Sequence, residues 1–219
     1  MKVLLFGATG MIGQGVLREC LLDPEISEVR SVVRRPSGTA HPKLVEIMHE
    51  DFLDFTAIED QLRGLDACFF CLGVSSAGLS EAAYRRVTYD LPLAAATTLC
   101  RVNPAMTFGY ISGAGADSSE TGRVMWARVK GQIENALRRL PFKAVYLFRP
   151  GAIRPLHGIR SRTPLYRALY VVLGPFLPLL KVFSPDSLTT TEQLGRAMIR
   201  AGLHGAPQAV LEMRDINRL

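Results

Sequence analysis

Hydrophobic positions along this chain fall into two patterns that alternate. Apolar runs of strand length recur at Val3–Phe6, Val29–Val33, Leu44–Met48, Ala67–Leu72, Met106–Ile111 and Ala144–Phe148. Between several of them apolar residues return at helical spacing, as in Val16, Leu17, Cys20 and Leu21, in Tyr84, Val87, Leu91, Ala95 and Leu99, and in Val129, Ile133 and Leu137. Runs that are apolar throughout suit strands covered on both faces, and helical stripes between them suit crossover connections. The pattern predicts an α/β fold, a doubly wound parallel sheet with helices on both faces.

The breaks between segments sharpen that expectation. Asp23-Pro24 ends the first helix, the polar stretch Ser37–Lys43 reads as a loop, Phe55–Leu62 reads as a short helix, and Pro92 predicts a kink in the helix around it. Further on, Thr163-Pro164 starts a helix over Leu165–Val172 that Gly174-Pro175 stops, and the apolar run 176–183 follows. Arg167, Lys181 and the prolines exclude that stretch as a clean membrane span. Thr189–Thr191, with Glu192 and Gln193, opens a last helix that carries Leu194, Ala197, Met198 and Ala201 inward.

The first strand runs into Gly7, Gly10 and Gly13 before the first helical stripe. In a strand–loop–helix unit the first such glycine makes the tight turn, the second lets the backbone approach a pyrophosphate, and the third lets the helix lie close on the strand. The unpaired N–H groups and the positive dipole end of the helix then hold phosphate. Gly7, Thr9, Gly10, Met11, Ile12 and Gly13 are therefore the expected cofactor cradle of a Rossmann-type sheet. The second strand ends at Arg34, where an NAD site usually carries an acid and an NADP site an arginine for the 2′-phosphate. NADP(H) is the expected cofactor, with NAD(H) the alternative; Arg34 otherwise reads as a solvated arginine before Pro36. Asp51 and Phe52 fall where such folds edge the adenine, although Asp51 equally suits a turn or helix cap. Leu72-Gly73, Ser112 and Pro150-Gly151 close three later strands, at the sheet edge where ligands of open α/β sheets bind.

Composition narrows the class. At 219 residues and 48% apolar content the chain suits one packed domain and excludes disorder. The net charge of +6 is scattered, with no basic run and no aromatic–basic interleaving, so nucleic-acid binding is not expected. The first residues already form the glycine-loop strand and the four cysteines lack extracellular spacing, so a reducing, cytoplasmic location is expected. Cys68 and Cys71 read as small core residues, and no metal site is expected from them or from His157.

Gly7-Ala8-Thr9-Gly10-Met11-Ile12-Gly13, Phe70-Cys71-Leu72-Gly73, Ser112 with Gly115-Ala116-Asp117, Val129-Lys130-Gly131 and Phe148-Arg149-Pro150-Gly151 together resemble an atypical short-chain dehydrogenase/reductase. The resemblance is to the NAD(P)-binding epimerase/dehydratase-like kind, near the Tat-interacting-protein-like oxidoreductases. It covers residues 1–155, and the remainder more loosely. It implies a dinucleotide-binding core over 1–155 and, within the same domain, a small helical substrate-side cover over 156–219. It also implies a catalytic Ser112 that polarises the substrate oxygen, and Lys130 on the nicotinamide ribose, four residues after a tyrosine that moves the proton. In this chain the tyrosine position is Trp126, whose indole N–H can donate a hydrogen bond but is no acid near neutral pH.

Other readings stay open: Ser112 as a strand-end hydroxyl serving a loop amide, Lys130 paired with Glu134, and Tyr89, Tyr110 or Asp90 as alternative proton carriers. The cover would be apolar with a basic rim, which suits a lipophilic small-molecule substrate or contact with a membrane surface or partner through 165–183. The function implied is an NADP(H)-dependent oxidoreductase or epimerase-like enzyme acting on a carbonyl or alcohol. The alternative is a non-catalytic NADP(H)-sensing protein. The oligomeric state is not legible in the sequence.

Overall fold

The computed structural model describes residues 1–159 and 188–219. The helix expected from Thr163, the apolar run 176–183 and the contact surface 165–183 lie outside those residues. The chain begins with β1 (Lys2–Phe6), α1 (Met11–Leu22), β2 (Glu28–Val33), β3 (Leu44–Met48), a 3-10 segment (Thr56–Leu62) and β4 (Ala67–Phe70). A long helix follows as α2 (Glu81–Arg85), a π turn (Arg86–Asp90) and α3 (Leu91–Val102), then β5 (Thr107–Ile111), α4 (Met125–Arg138), β6 (Ala144–Arg149) and β7 (Ala152–Arg154). The last described stretch holds β8 (Leu188–Thr190), α5 (Thr191–His204), β9 (Val210–Glu212) and α6 (Met213–Arg218).

Seven strands form one sheet in the order β3-β2-β1-β4-β5-β6-β9, and every neighbouring pair is parallel. The order reverses between β1 and β4, so the crevice for a ligand lies above that pair. Alternation along each strand feeds two cores. Val3, Leu5 and Phe69 pack with Val16 and Cys20 of α1 and with Leu194 and Met198 of α5. Leu4, Phe6, Cys68 and Phe70 pack on the other face with Leu99, Ile133 and Leu137. This two-sided burial is why the strands read as continuous apolar runs. On the first face α1 and α5 cross closely, because a β-carbon on Gly15 would lie 2.6 Å from Cβ of Thr191.

Three details refine the sequence reading. Residues beyond 155 do more than cover the site: β9 pairs with β6 and completes the sheet, so the core extends past that boundary. Three residues, Val210–Glu212, are too short to show a strand period. The short helix expected over Phe55–Leu62 is present as a 3-10 helix over Thr56–Leu62. Finally, Pro92 does not bend its helix alone. Proline has no N–H for the carbonyl four residues back and its ring crowds that carbonyl, which here belongs to Thr88. The helix answers with the π turn, in which Leu91 N–H reaches the Arg86 carbonyl.

Candidate functional site

The glycine loop joins β1 to α1 at the carboxyl edge of the sheet. Gly7 has φ +80°, and a β-carbon there would lie 2.6 Å from the Leu72 nitrogen, so the chain leaving β4 lies directly against the loop. A β-carbon on Gly13 would sit 2.0 Å from the Gly7 carbonyl oxygen, which itself accepts the Gly10 N–H at 2.9 Å. Gly10 is the N-cap of α1 and supplies no side-chain acceptor, and the first turn carries no acidic residue. The amide groups of that turn therefore keep their donors for an anion. Thr9 contributes its carbonyl to Gln14 Nε2 at 3.0 Å, while Met11 and Ile12 are half-buried against the core of α1 and α5.

Arg34 and Arg35 follow β2 at the same edge, both exposed and neither with an ion pair or hydrogen bond among the described residues. A cleft of roughly 510 Å³ opens between α1 and the loop after β2, bordered by Thr9, Leu17, Arg18, Ser37, Thr39 and His41; neither Arg34 nor Arg35 lines it. The expected adenine edge is altered. The Asp51 carboxylate takes the Leu53 N–H at 2.9 Å and so shapes its own turn. The Phe52 ring turns into the core, edge-on to Phe6 at 6.0 Å and to Phe55 at 6.1 Å. Phe52 is thereby left with only its backbone to offer a ligand, while Asp51 stays exposed. Gly73 and Gly151 are exposed, while Pro150 is buried and its carbonyl accepts the Ala114 N–H at 3.0 Å.

Ser112 stands at the end of β5, and its hydroxyl donates to the carboxylate of Glu134 on α4. Glu134 is 1% exposed. Its two oxygens are held by Arg149 at the end of β6, through Nε at 3.0 Å and through Nη2. Arg149 also reaches Glu212 at 3.1 Å and the Ser118 hydroxyl at 2.8 Å. The Ser112 proton is thus directed to a buried carboxylate and not to a loop amide or an open ligand space. The open alternative of a Lys130–Glu134 pair is likewise displaced, because the carboxylate is spent on Arg149.

Lys130 turns instead toward β5. Its Nζ donates to the Ile111 carbonyl at 3.0 Å and to the Tyr110 hydroxyl at 3.2 Å, and lies 4.9 Å from the centre of the Tyr110 ring. Tyr110 in turn donates to the Thr88 carbonyl at 3.2 Å, the group that Pro92 leaves without its helical partner. Burial pulls the Lys130 ammonium down to about 8, with the Glu134 charge opposing, while burial pushes the Tyr110 phenol well up. Tyr110 is therefore sealed and neutral, unsuited to moving a substrate proton, and Tyr89 carries the Arg85 guanidinium 3.9 Å above its ring. Trp126, four residues before Lys130, packs over the loop after β5: a β-carbon on Gly115 would lie 3.5 Å from its Cη2. The four cysteines are free, and burial raises each thiol that sits in the sheet or on α1. Near α5, His157 Nε2 meets Glu192 at 2.6 Å and Glu19 bonds Arg196 at 3.0 Å, a cross-brace of paired charges.

Sequence reasoning missed the Glu134–Arg149 pair and the use of Thr88. The first had no local signal, since its members lie fifteen residues apart on a helix and a strand. The second was signalled by Pro92, read only as a kink.

A parallel sheet with this strand order, a glycine loop at its switch point and a lysine at the edge of β5 define a Rossmann-type dinucleotide fold of the short-chain dehydrogenase/reductase kind. The chain belongs to the NAD(P)H-binding family, whose model matches residues 7–141, more than half of its length. It is 28% identical to Protein HTATIP2 of Rattus norvegicus over 69% of this chain and 62% of that protein, so the match spans less than two thirds of the rat relative. It is 30% identical to Protein FMP52, mitochondrial, of Saccharomyces cerevisiae over 74% of this chain and 69% of that protein. Among solved structures, the Bordetella bronchiseptica enzyme WbmH in complex with NAD+ superposes with a TM-score of 0.69 over 96% of this chain and 74% of that chain, at 16% identity, a likeness of fold alone. These findings bear out the atypical dehydrogenase/reductase resemblance. They overturn the cytoplasmic location expected from the sequence, because the FMP52 relatives are named mitochondrial. No helix among the described residues is long and apolar enough to cross a membrane.

Proposed function

We propose that the protein binds NADP(H) in preference to NAD(H) and acts as a cofactor-responsive binding protein, without tyrosine-driven proton transfer. The observation that carries the preference is Arg34, an exposed cation without a partner among the described residues, placed after β2 beside the glycine loop. Thr9, Ser37 and Thr39 border the cleft between α1 and the loop that follows Arg34, with hydroxyls that suit a phosphate or ribose. The glycine loop would hold the pyrophosphate and Lys130 the nicotinamide ribose; the dinucleotide itself supplies two-electron redox chemistry when bound. Two features favour binding over the standard reaction. The Trp126 indole N–H is no acid near neutral pH, and the Ser112 hydroxyl is given to Glu134.

A second reading keeps the oxidoreductase or epimerase-like activity on a carbonyl or alcohol. Lys130 supports it, since an ammonium that titrates at about 8 can exchange a proton near neutral pH. The solved NAD+ complex shares the fold, and the NADP preference proposed here comes from Arg34 in this chain.

Trp126 is the only tryptophan, so its fluorescence reads binding directly. NADPH is expected to quench it at lower concentration than NADH. Arg34→Glu should weaken NADPH roughly tenfold or more, the worth of a charge-assisted hydrogen bond, and leave NADH little changed. Equal affinities for the two nucleotides in the native protein would remove the NADP preference. NADPH oxidation with members of a carbonyl panel would select the second reading.

A further inference from the structure

Lys130 Nζ donates to two acceptors, the Tyr110 hydroxyl and the Ile111 carbonyl, and the first of these is itself fixed by the Thr88 carbonyl. Pro92 cannot give an N–H to the Thr88 carbonyl, so that acceptor lacks its usual helical partner four residues on. The Tyr110 hydroxyl, on a residue 1% exposed, donates its one proton there. With its proton committed, the phenol oxygen can only accept, and the donor it faces is Lys130 Nζ at 3.2 Å. The Ile111 carbonyl takes a second hydrogen of the same group at 3.0 Å. A protonated Lys130 then has one hydrogen left, and no described residue takes it. The charged and titratable groups facing Lys130 are Glu134 from its own helix and Tyr110 from β5, with Tyr84 of α2 close enough to act on the Tyr110 phenol. Glu134 is ion-paired to Arg149 and makes no hydrogen bond to the ammonium, although its charge still favours the protonated form.

We propose that Tyr110 is a positioning residue of the dinucleotide site: fixed by the Thr88 carbonyl, it holds Lys130 as a donor whose remaining hydrogen is aimed at the ligand. The assignment rests on the dinucleotide reading above. It makes nucleotide affinity depend on the Lys130 proton, present below about pH 8 and lost as pH rises through that value. Burial holds the Tyr110 phenol well above that range, so of this hydrogen-bonded pair Lys130 is the member that changes charge there.

The test is the affinity for NADH between pH 7 and 9.5, read by Trp126 fluorescence; NADH is chosen because it has no 2′-phosphate to titrate. The native protein is expected to lose affinity above pH 8, by up to about tenfold per pH unit. Lys130→Arg, which keeps its proton, should flatten the profile. Tyr110→Phe removes an acceptor from the ammonium and should move the midpoint below that of the native protein, while a merely packing role would weaken binding equally at every pH. Should Tyr110→Phe fail to fold, Pro92→Ala serves: the new N–H competes for the Thr88 carbonyl, frees the phenol proton and should shift the midpoint as well. A flat native profile, or one unchanged by Tyr110→Phe and Pro92→Ala, overturns the assignment and leaves dinucleotide binding standing. Absence of binding at every pH removes the dinucleotide reading itself.

Discussion

A Gly13→Ala variant is expected to lose nucleotide binding and to unfold at a markedly lower temperature than the native protein. The added β-carbon would lie 2.0 Å from the Gly7 carbonyl oxygen and 2.6 Å from its carbon, and both are backbone atoms that no rotamer change can move. Either α1 lifts from β1 or the loop opens. Overpacking of this kind costs about 1–3 kcal/mol, and here it also separates the amide donors from the turn that aims them. Gly10→Ala is the control. Its β-carbon meets only the Gly7 oxygen, at 3.3 Å, so that variant should keep most of its stability and lose affinity where the methyl faces the phosphates. Thermal denaturation and NADPH titration of the pair separate the two effects. A Gly13→Ala protein that melts and binds like the native one would show that the loop does not hold the nucleotide as described.

The second large effect lies in the core behind Ser112. Glu134→Ala should cost about 3–5 kcal/mol, the usual result of removing one member of a buried ion pair and leaving the other charge without its partner. Arg149 would keep only Glu212 and the Ser118 hydroxyl, both near the surface, and the Ser112 hydroxyl would lose its acceptor. Replacing the whole set, as in Ser112→Ala with Glu134→Leu and Arg149→Met, should recover much of the loss, because apolar residues of similar volume often substitute for buried pairs at little cost. Urea denaturation of the single and triple variants measures both. A triple variant no more stable than Glu134→Ala would mean that Arg149 supports the fold chiefly through Glu212.

These two sites also show what the sequence could and could not convey. The glycine loop, α1 and β3 were legible because each is local: a strand period, three glycines at fixed spacing, a helical stripe; Lys130 on α4 was singled out only by the family resemblance. The cytoplasmic expectation failed because it relied on general features of the chain's beginning and its cysteines, which do not report an address. The Ser112 environment was hidden for a different reason. Serine at a strand end looks the same whether it faces a ligand or a carboxylate two turns along the next helix, and only the tertiary approach of Glu134 and Arg149 decides it. Phe52 was misplaced in the same way, since the hydropathy of an aromatic ring does not say which wall of a cleft it enters.

Gly131 has a mechanical consequence for all of this. A β-carbon there would lie 1.7 Å from the Asp117 carbonyl oxygen, so the chain after β5 crosses α4 at backbone contact. Asp117 N–H is tied to the Ala127 carbonyl at 2.9 Å, and Asn135 Nδ2 to the Ser118 carbonyl at 3.0 Å. The crossing thus has a rivet on each side. Trp126 and Lys130 ride on the same helix, and Ser118–Thr121 is largely open to solvent. Helix and loop are therefore joined at backbone contact, so neither can shift here without the other.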